Sequence, residues 1–163
     1  MLNQSTQDAL VAGGTLSIYN RSTLSRNQFF PGVLINAAEV SFLISEAYLK
    51  MGNPSAAKTA YEDGITKSIE FYYWLRTLSN DNVSGTLVPA NATEITAYIS
   101  SAGVNWDNAV TDADKLNLIA TQKWIHYSVV QPVESWAEIK RLDAPDFSFE
   151  IDNANAQTQP PYR

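Results

Sequence analysis

Phe71-Tyr72-Tyr73-Trp74 sets four rings side by side, and Trp106 stands in a polar stretch next to Asn105. Aromatic faces cover the apolar side of a pyranose ring, while amides such as Asn80, Asn82 and Asn105 bond its hydroxyls. Tyr72, Tyr73, Trp74, Trp106 and Asn105 are therefore candidates for holding a sugar, with Tyr73, Trp74, Trp106 and Asn105 the preferred set. Consecutive helix positions step around the axis, so four adjacent rings cannot share one stripe. At least one must leave its own helix face and meet another segment, a part of the protein outside this chain, or a ligand. The competing role for Tyr and Trp at helical spacing is core filling, and Trp124 and Trp136 are assigned to it.

Other chemistry is thinner. Glu134 and Glu138, at i,i+4, share a helix face and could in principle supply the acid and nucleophile of a retaining glycosidase. Arg141, three residues beyond Glu138, pairs with it more simply, so the two carboxylates read as a surface ion-pair group and not as a catalytic dyad. Glu39 and Glu46 lie seven apart on one helix face and call for an Arg or Lys from a neighbouring helix. His126 has no second His and no acidic residue at metal-ligand spacing, and reads as a satisfied or exposed helix residue. With no Cys and a single His, neither a disulfide nor a metal centre is expected, and no cofactor is implied. Asn-x-Ser/Thr occurs at Asn20, Asn82 and Asn91, as chance provides in a chain rich in Ser and Asn.

A hydrophobic fraction of 45% and a charged fraction of 17% over 163 residues describe one globular domain, or a large piece of one. The net charge of −6 and the lack of a basic face argue against nucleic acid. No apolar run approaches the ~18 residues that cross a bilayer. Met1-Leu2-Asn3-Gln4 has no basic start, apolar core or cleavage site, so the chain is either cytoplasmic or part of something longer.

The elements that must position these residues are helical. From Val33 to Leu75 two amphipathic patterns flank Met51-Gly52-Asn53-Pro54. Leu34, Ala37, Ala38, Ser41, Ile44, Tyr48 and Met51 mark the first stripe; Ala57, Ala60, Tyr61, Gly64, Ile65, Ser68, Ile69 and Tyr72 mark the second. Gly52 suits the left-handed position after a helix, Asn53 caps the next, and Pro54 fits its first turn. Asp63 and Lys67 form an i,i+4 pair on a solvated face. Asn91 with Glu94 opens a short helix over 92–101, and Thr111 caps a longer one carrying Leu116, Ile119, Ala120, Trp124 and Tyr127. Gln131-Pro132 stops it, and a last helix runs from about Val133 to Arg141 with Trp136 and Ile139 turned inward. The chain is expected to be all-α: a single domain, or fragment of one, over 1–163. It divides into an irregular lead-in (1–31, with a short strand at Thr15 to Tyr19), a helical core (33–141) and an irregular polar tail (144–163).

The hairpin around Ala47 to Tyr61 resembles one tetratricopeptide-type unit, with no second copy at a period near 34 residues. A soluble adaptor that holds a peptide in a helical groove is thus the alternative reading. A narrower resemblance runs along the chain. Asn36-Ala37-Ala38-Glu39-Val40-Ser41-Phe42-Leu43-Ile44-Ser45-Glu46-Ala47-Tyr48-Leu49 is similar to the helix opening the C-terminal region of SusD/RagB-type proteins. Ala56-Ala57-Lys58-Thr59-Ala60-Tyr61-Glu62-Asp63-Gly64-Ile65, Gln122-Lys123-Trp124-Ile125 and Glu134-Ser135-Trp136-Ala137-Glu138-Ile139-Lys140-Arg141 follow in the family's order. Where members carry an Arg-Arg pair and a Thr-Gly before the Pro, this chain reads Lys140-Arg141-Leu142-Asp143-Ala144-Pro145. The resemblance implies a C-terminal fragment of a SusD-like lipoprotein of the Bacteroidota, exposed on the outer membrane. It also implies non-catalytic oligosaccharide or polysaccharide binding and a TonB-dependent, SusC-like transporter as partner. Contact with the membrane would be only through a lipid anchor outside this chain. Family binding residues vary and lie on loops, so none transfers residue by residue.

Overall fold

The computed structural model describes residues 4–15 and 18–145. Among them are six α-helices and no strand: α1 (Gln4–Ala12), α2 (Ala37–Lys50), α3 (Pro54–Leu78), α4 (Ala92–Ile99), α5 (Asp112–Tyr127) and α6 (Pro132–Leu142). The all-α expectation holds. The lead-in departs from expectation, since α1 forms inside it and Thr15, Ile18 and Tyr19 belong to no strand. The polar tail beyond Pro145 lies outside the described residues.

Helices α2 and α3 form the expected hairpin. Gly52 sits at φ +71°, and the amides of Gly52 and Asn53 close the end of α2 on Leu49 and Tyr48 carbonyls. The Asn53 side chain accepts from the Ala56 amide, capping α3 behind Pro54. Ser41 meets Asp63 and Ser45 meets Ala57, so residue numbers rise on one helix as they fall on the other. The helices run antiparallel. The two capping boxes, Asn91 with Glu94 and Thr111 with Asp114, also form.

The buried stripe of α2 is displaced from the one that spacing marked. Ala38, Ser41, Phe42, Ser45 and Leu49 are buried, while Leu34, Ile44, Tyr48 and Met51 face outward. Both faces of α2 are apolar by composition. Closeness decides between them, because the small residues 38, 41 and 45 let α3 approach while Ile44 and Tyr48 would hold it off. The closest approach is at Gly64, where an added Cβ would stand 2.6 Å from the Phe42 ring. Phe42, Tyr61 and Ile65 then form a core with Ala57, Val104, Trp106 and Ile119. Tyr61 donates its buried hydroxyl to the Val104 carbonyl at 2.8 Å, so no polar atom of that ring is stranded.

Polar groups tie α6 to the hairpin and to α5. Glu46, nearly fully buried, accepts two 2.6 Å hydrogen bonds from the Arg141 guanidinium and one from Lys50. This bears out the expected partner for Glu46. The Arg141 bonds, helped by Lys50 and opposed by burial, hold the carboxyl down at about 2. Lys123, fully buried, pairs with Glu138, which also takes two bonds from Arg141. Among the described residues Glu39 is met by no cation but by a carboxamide, accepting from Gln131 Nε2 at 3.1 Å.

His126 is fully buried, ringed by Phe42, Phe71, Tyr72 and Tyr127, with Nδ1 bonded to Ser68 Oγ at 2.8 Å and Nε2 without a partner. Burial pushes it from 6.5 down to about 4. Trp124 and Trp136, assigned to the core, are instead 43% and 46% exposed. The α5 face that turns inward is Ile119, Ala120, Lys123 and Tyr127, one step around from Trp124. On α6 it is Ser135 that is buried, and Trp136 lies outside with the Lys140 ammonium 5.2 Å from its ring.

These contacts generate three expectations. Gly64→Ala gains up to about 1 kcal/mol of helix propensity but overpacks Phe42 at about 1–3 kcal/mol, for a net loss that urea denaturation would register as a lower midpoint. Arg141→Ala leaves Glu46 with Lys50 alone. It should cost about 2 kcal/mol, less than a fully buried pair because Arg141 is partly exposed, and Glu46→Gln in the same chain should recover part of it. Neutral His126 is favoured by folding, so its contribution is complete above pH 6.5 and disappears as pH falls through about 4. The loss is roughly 3 kcal/mol at most, and in His126→Gln the slope of stability against pH over that window should flatten.

Candidate functional site

Helix α3 has 25 residues against 14 in α2, so its last turns, carrying the four rings, extend beyond their hairpin partner. This overhang meets the end of α5 and the polar segment before α2. Phe71 and Tyr72 turn toward His126, with ring centroids at 5.5 and 6.0 Å, and Tyr72 donates to the His126 carbonyl at 2.6 Å. Burial raises that phenol to about 12, so it remains a donor at any physiological pH. Trp74 is 49% exposed and packs against Phe71 at 5.8 Å. The four rings diverge as helix geometry requires.

An open cleft of about 550 Å³ forms where these elements meet. Tyr72 and Tyr73 make its floor, Trp124, Ile125, Ser128 and Val129 one wall, and Tyr19, Asn20, Thr23 and Leu24 the other, with Leu87 at one end. Its size lies within the range of small-molecule sites. No lining residue is charged. Across the mouth Tyr19 Oη and Ser128 Oγ lie 2.5 Å apart. Ser128 ends α5 at φ +34°, a strained backbone that turns its hydroxyl toward Tyr19.

The Tyr19 wall is irregular but well tied. Asn20 Oδ1 accepts from both the amide and the hydroxyl of Thr23. Asn27 donates to the carbonyls of Thr23 and Leu75, and Ser22 donates to Asp81. A stretch rich in Ser, Thr and Asn thus adds side-chain hydrogen bonds to its backbone turn bonds, doing together what a helix does through its backbone alone.

Of the preferred sugar candidates, Tyr73 lines the cleft and Trp74 stands exposed near the end of the same helix. Trp106 is a correction. It is 4% exposed, on a 3₁₀ turn (Trp106–Asn108), with its ring 5.3 Å from Tyr61. A polar stretch surrounds it in sequence, yet the turn directs it into the core. Asn105 is occupied in capping that turn, accepting from the Asp107 amide at 2.9 Å. Asn91 is likewise used as a cap. Tyr19, Trp124 and Ser128 line the cleft without having been singled out as site residues. Trp124-Ile125 followed by Ser128-Val129 was the available signal, an i,i+4 repeat one step off the stripe that contains Ala120 and Tyr127.

For the carboxylate pair, Glu134 is exposed while Glu138 lies between Lys123 and Arg141. Burial pushes Glu138 up, but Arg141 and Lys123 outweigh it and hold the carboxyl below its usual range. A glycosidase acid needs the opposite shift. Among the described residues no group of His, Asp or Glu is arranged to hold a metal, and no helix is long and apolar enough to cross a membrane.

Comparison with known proteins agrees with the fold. One solved structure, described as Bacteroidetes AC2a SusD-like, superposes with a TM-score of 0.64 at 24% identity, over 91% of this chain and 28% of that one. This chain therefore spans little more than a quarter of that protein's length. No curated protein matches. A family model, SusD-like, described as starch-binding and associating with the outer membrane, matches residues 5–163. The chain belongs to the SusD-like family.

Proposed function

We propose that this chain is part of a glycan-binding protein of the outer membrane, non-catalytic and held at the cell surface by a lipid anchor. It would hold oligosaccharide for a TonB-dependent, SusC-like transporter. The observation that carries the reading is the family match over nearly the whole chain. The cleft is compatible with it, since Tyr19, Tyr73 and Trp124 offer ring faces and Asn20, Thr23 and Ser128 offer hydroxyl and amide partners around an uncharged hollow. Tyr73 and Trp74 remain the proposed ligand contacts from the original set, and Trp124 and Tyr19 join them.

Because the family is described as starch-binding, maltoheptaose is the first probe. Removing a ring that a sugar covers should cost about 1.5–3 kcal/mol, roughly ten- to a hundredfold in affinity. Calorimetric titration of Tyr73→Ala and Trp124→Ala should show that loss, with no reducing sugar released by the parent chain. Parent-like affinity in both variants would remove the cleft from consideration, and turnover would remove the non-catalytic reading.

A further inference from the structure

A second hollow, of about 440 Å³, borders the same irregular segment, lined by Ser25, Arg26, Asn27, Gln28, Asn80 and Asp81. Thr23 and Leu24 face the aromatic cleft, and the next residues along the chain face this hollow. Its chemistry is complementary to the cleft's, polar where the cleft is aromatic.

Two of its residues build the frame. Both Asn27 donor bonds go to the Thr23 and Leu75 carbonyls, and its oxygen takes the Phe29 amide. Asp81 accepts from Ser22 and from the Val83 amide, with Arg26 Nη1 3.7 Å away. That pairing cancels the charge of the hollow to first order. The side chains of Ser25, Gln28 and Asn80 are different: exposed, and without a hydrogen bond to any described residue. Each carboxamide presents a donor and an acceptor side by side, the pattern that reads two neighbouring hydroxyls, and Arg26 keeps further N–H donors. Asn27 and Asp81 are spent on structural bonds, while Ser25, Gln28 and Asn80 keep their donors and acceptors open toward solvent, where a ligand's hydroxyls can replace water.

We infer that this hollow is a hydroxyl-reading subsite, in which Gln28, Asn80, Ser25 and Arg26 bond an uncharged stretch of glycan that continues out of the aromatic cleft. The inference rests on the glycan-binding reading above. It assigns stacking to the cleft and hydroxyl recognition to the hollow, so affinity should grow with chain length once a glycan reaches past Leu24.

Titration of the full chain with maltotriose and maltoheptaose tests it, in the parent and in Gln28→Ala/Asn80→Ala. Both substituted side chains are exposed and unbonded, so circular dichroism should match the parent; Gln28→Ala alone serves if it does not. The parent should bind maltoheptaose about tenfold or more tighter than maltotriose, and the double variant should lose most of that gain while keeping its maltotriose affinity. Equal affinities for the two sugars in the parent overturn the subsite and leave the cleft standing. A gain that survives in the variant also overturns it, since extra binding registers on the cleft alone would then account for chain length. Absence of binding by the parent to either sugar overturns the glycan reading together with the subsite.

Discussion

Everything else in this molecule follows from how closely α2 and α3 approach. Gly64 has no side chain, and the Phe42 ring occupies the space where one would be. With Ala38, Ser41, Ser45 and Ala57 along the same seam, the helices come close enough for Ser45 to donate to the Ala57 carbonyl. That distance brings Tyr61 and Ile65 against Ile119, and so fixes where α5 lies. α5 in turn fixes α6, through Lys123 with Glu138 and through Arg141 reaching back to Glu46.

The ionic contacts add specificity to this arrangement more than they add stability. A buried carboxylate on α2 with no cation would be costly, so α6 must present Arg141 in one register only. A shift of one residue along α6 would strand Glu46 and separate Glu138 from Lys123. Apolar contacts alone would not discriminate so sharply, because they tolerate a small slide that a bidentate guanidinium does not.

Local signals in the sequence located the elements well. Gly52-Asn53-Pro54, Asn91 with Glu94, and Thr111 with Asp114 each encode a boundary in the chemistry of a few neighbouring residues, and each boundary formed. The choice of face was less legible. α2 carries apolar residues on two sides, and periodicity cannot say which side a partner helix takes; the size of residues 38, 41 and 45 says so only once α3 is known to approach. Trp106 shows the reverse difficulty, a core residue in a polar stretch, buried because Tyr61 and Val104 leave space for it. The cleft was half legible. Its Tyr73 floor lies within a conspicuous run of rings, whereas Tyr19 and Ser128 come together from 109 positions apart, a pairing with no local trace. The cation expected at both Glu39 and Glu46 is met, among the described residues, only at Glu46, by Arg141, while a carboxamide serves Glu39.

One feature of the cleft bears on how it behaves in time. The hairpin is closed by helical backbone bonds and a continuous apolar core. The Tyr19 to Gln28 wall has backbone turn bonds of its own, such as Leu24 to Asn20 and Arg26 to Arg21, but side chains tie it to its neighbours: Asn27 to Leu75, Ser22 to Asp81, Tyr19 to Ser128. A segment tied to the helices through a few side-chain bonds opens locally at less cost than the helices unfold. The shape of the cleft is thereby uncoupled from the stability of the fold. Substitutions in this segment are free to reshape what the cleft admits while the scaffold beneath keeps its melting behaviour, which allows one helical frame to carry many different binding surfaces.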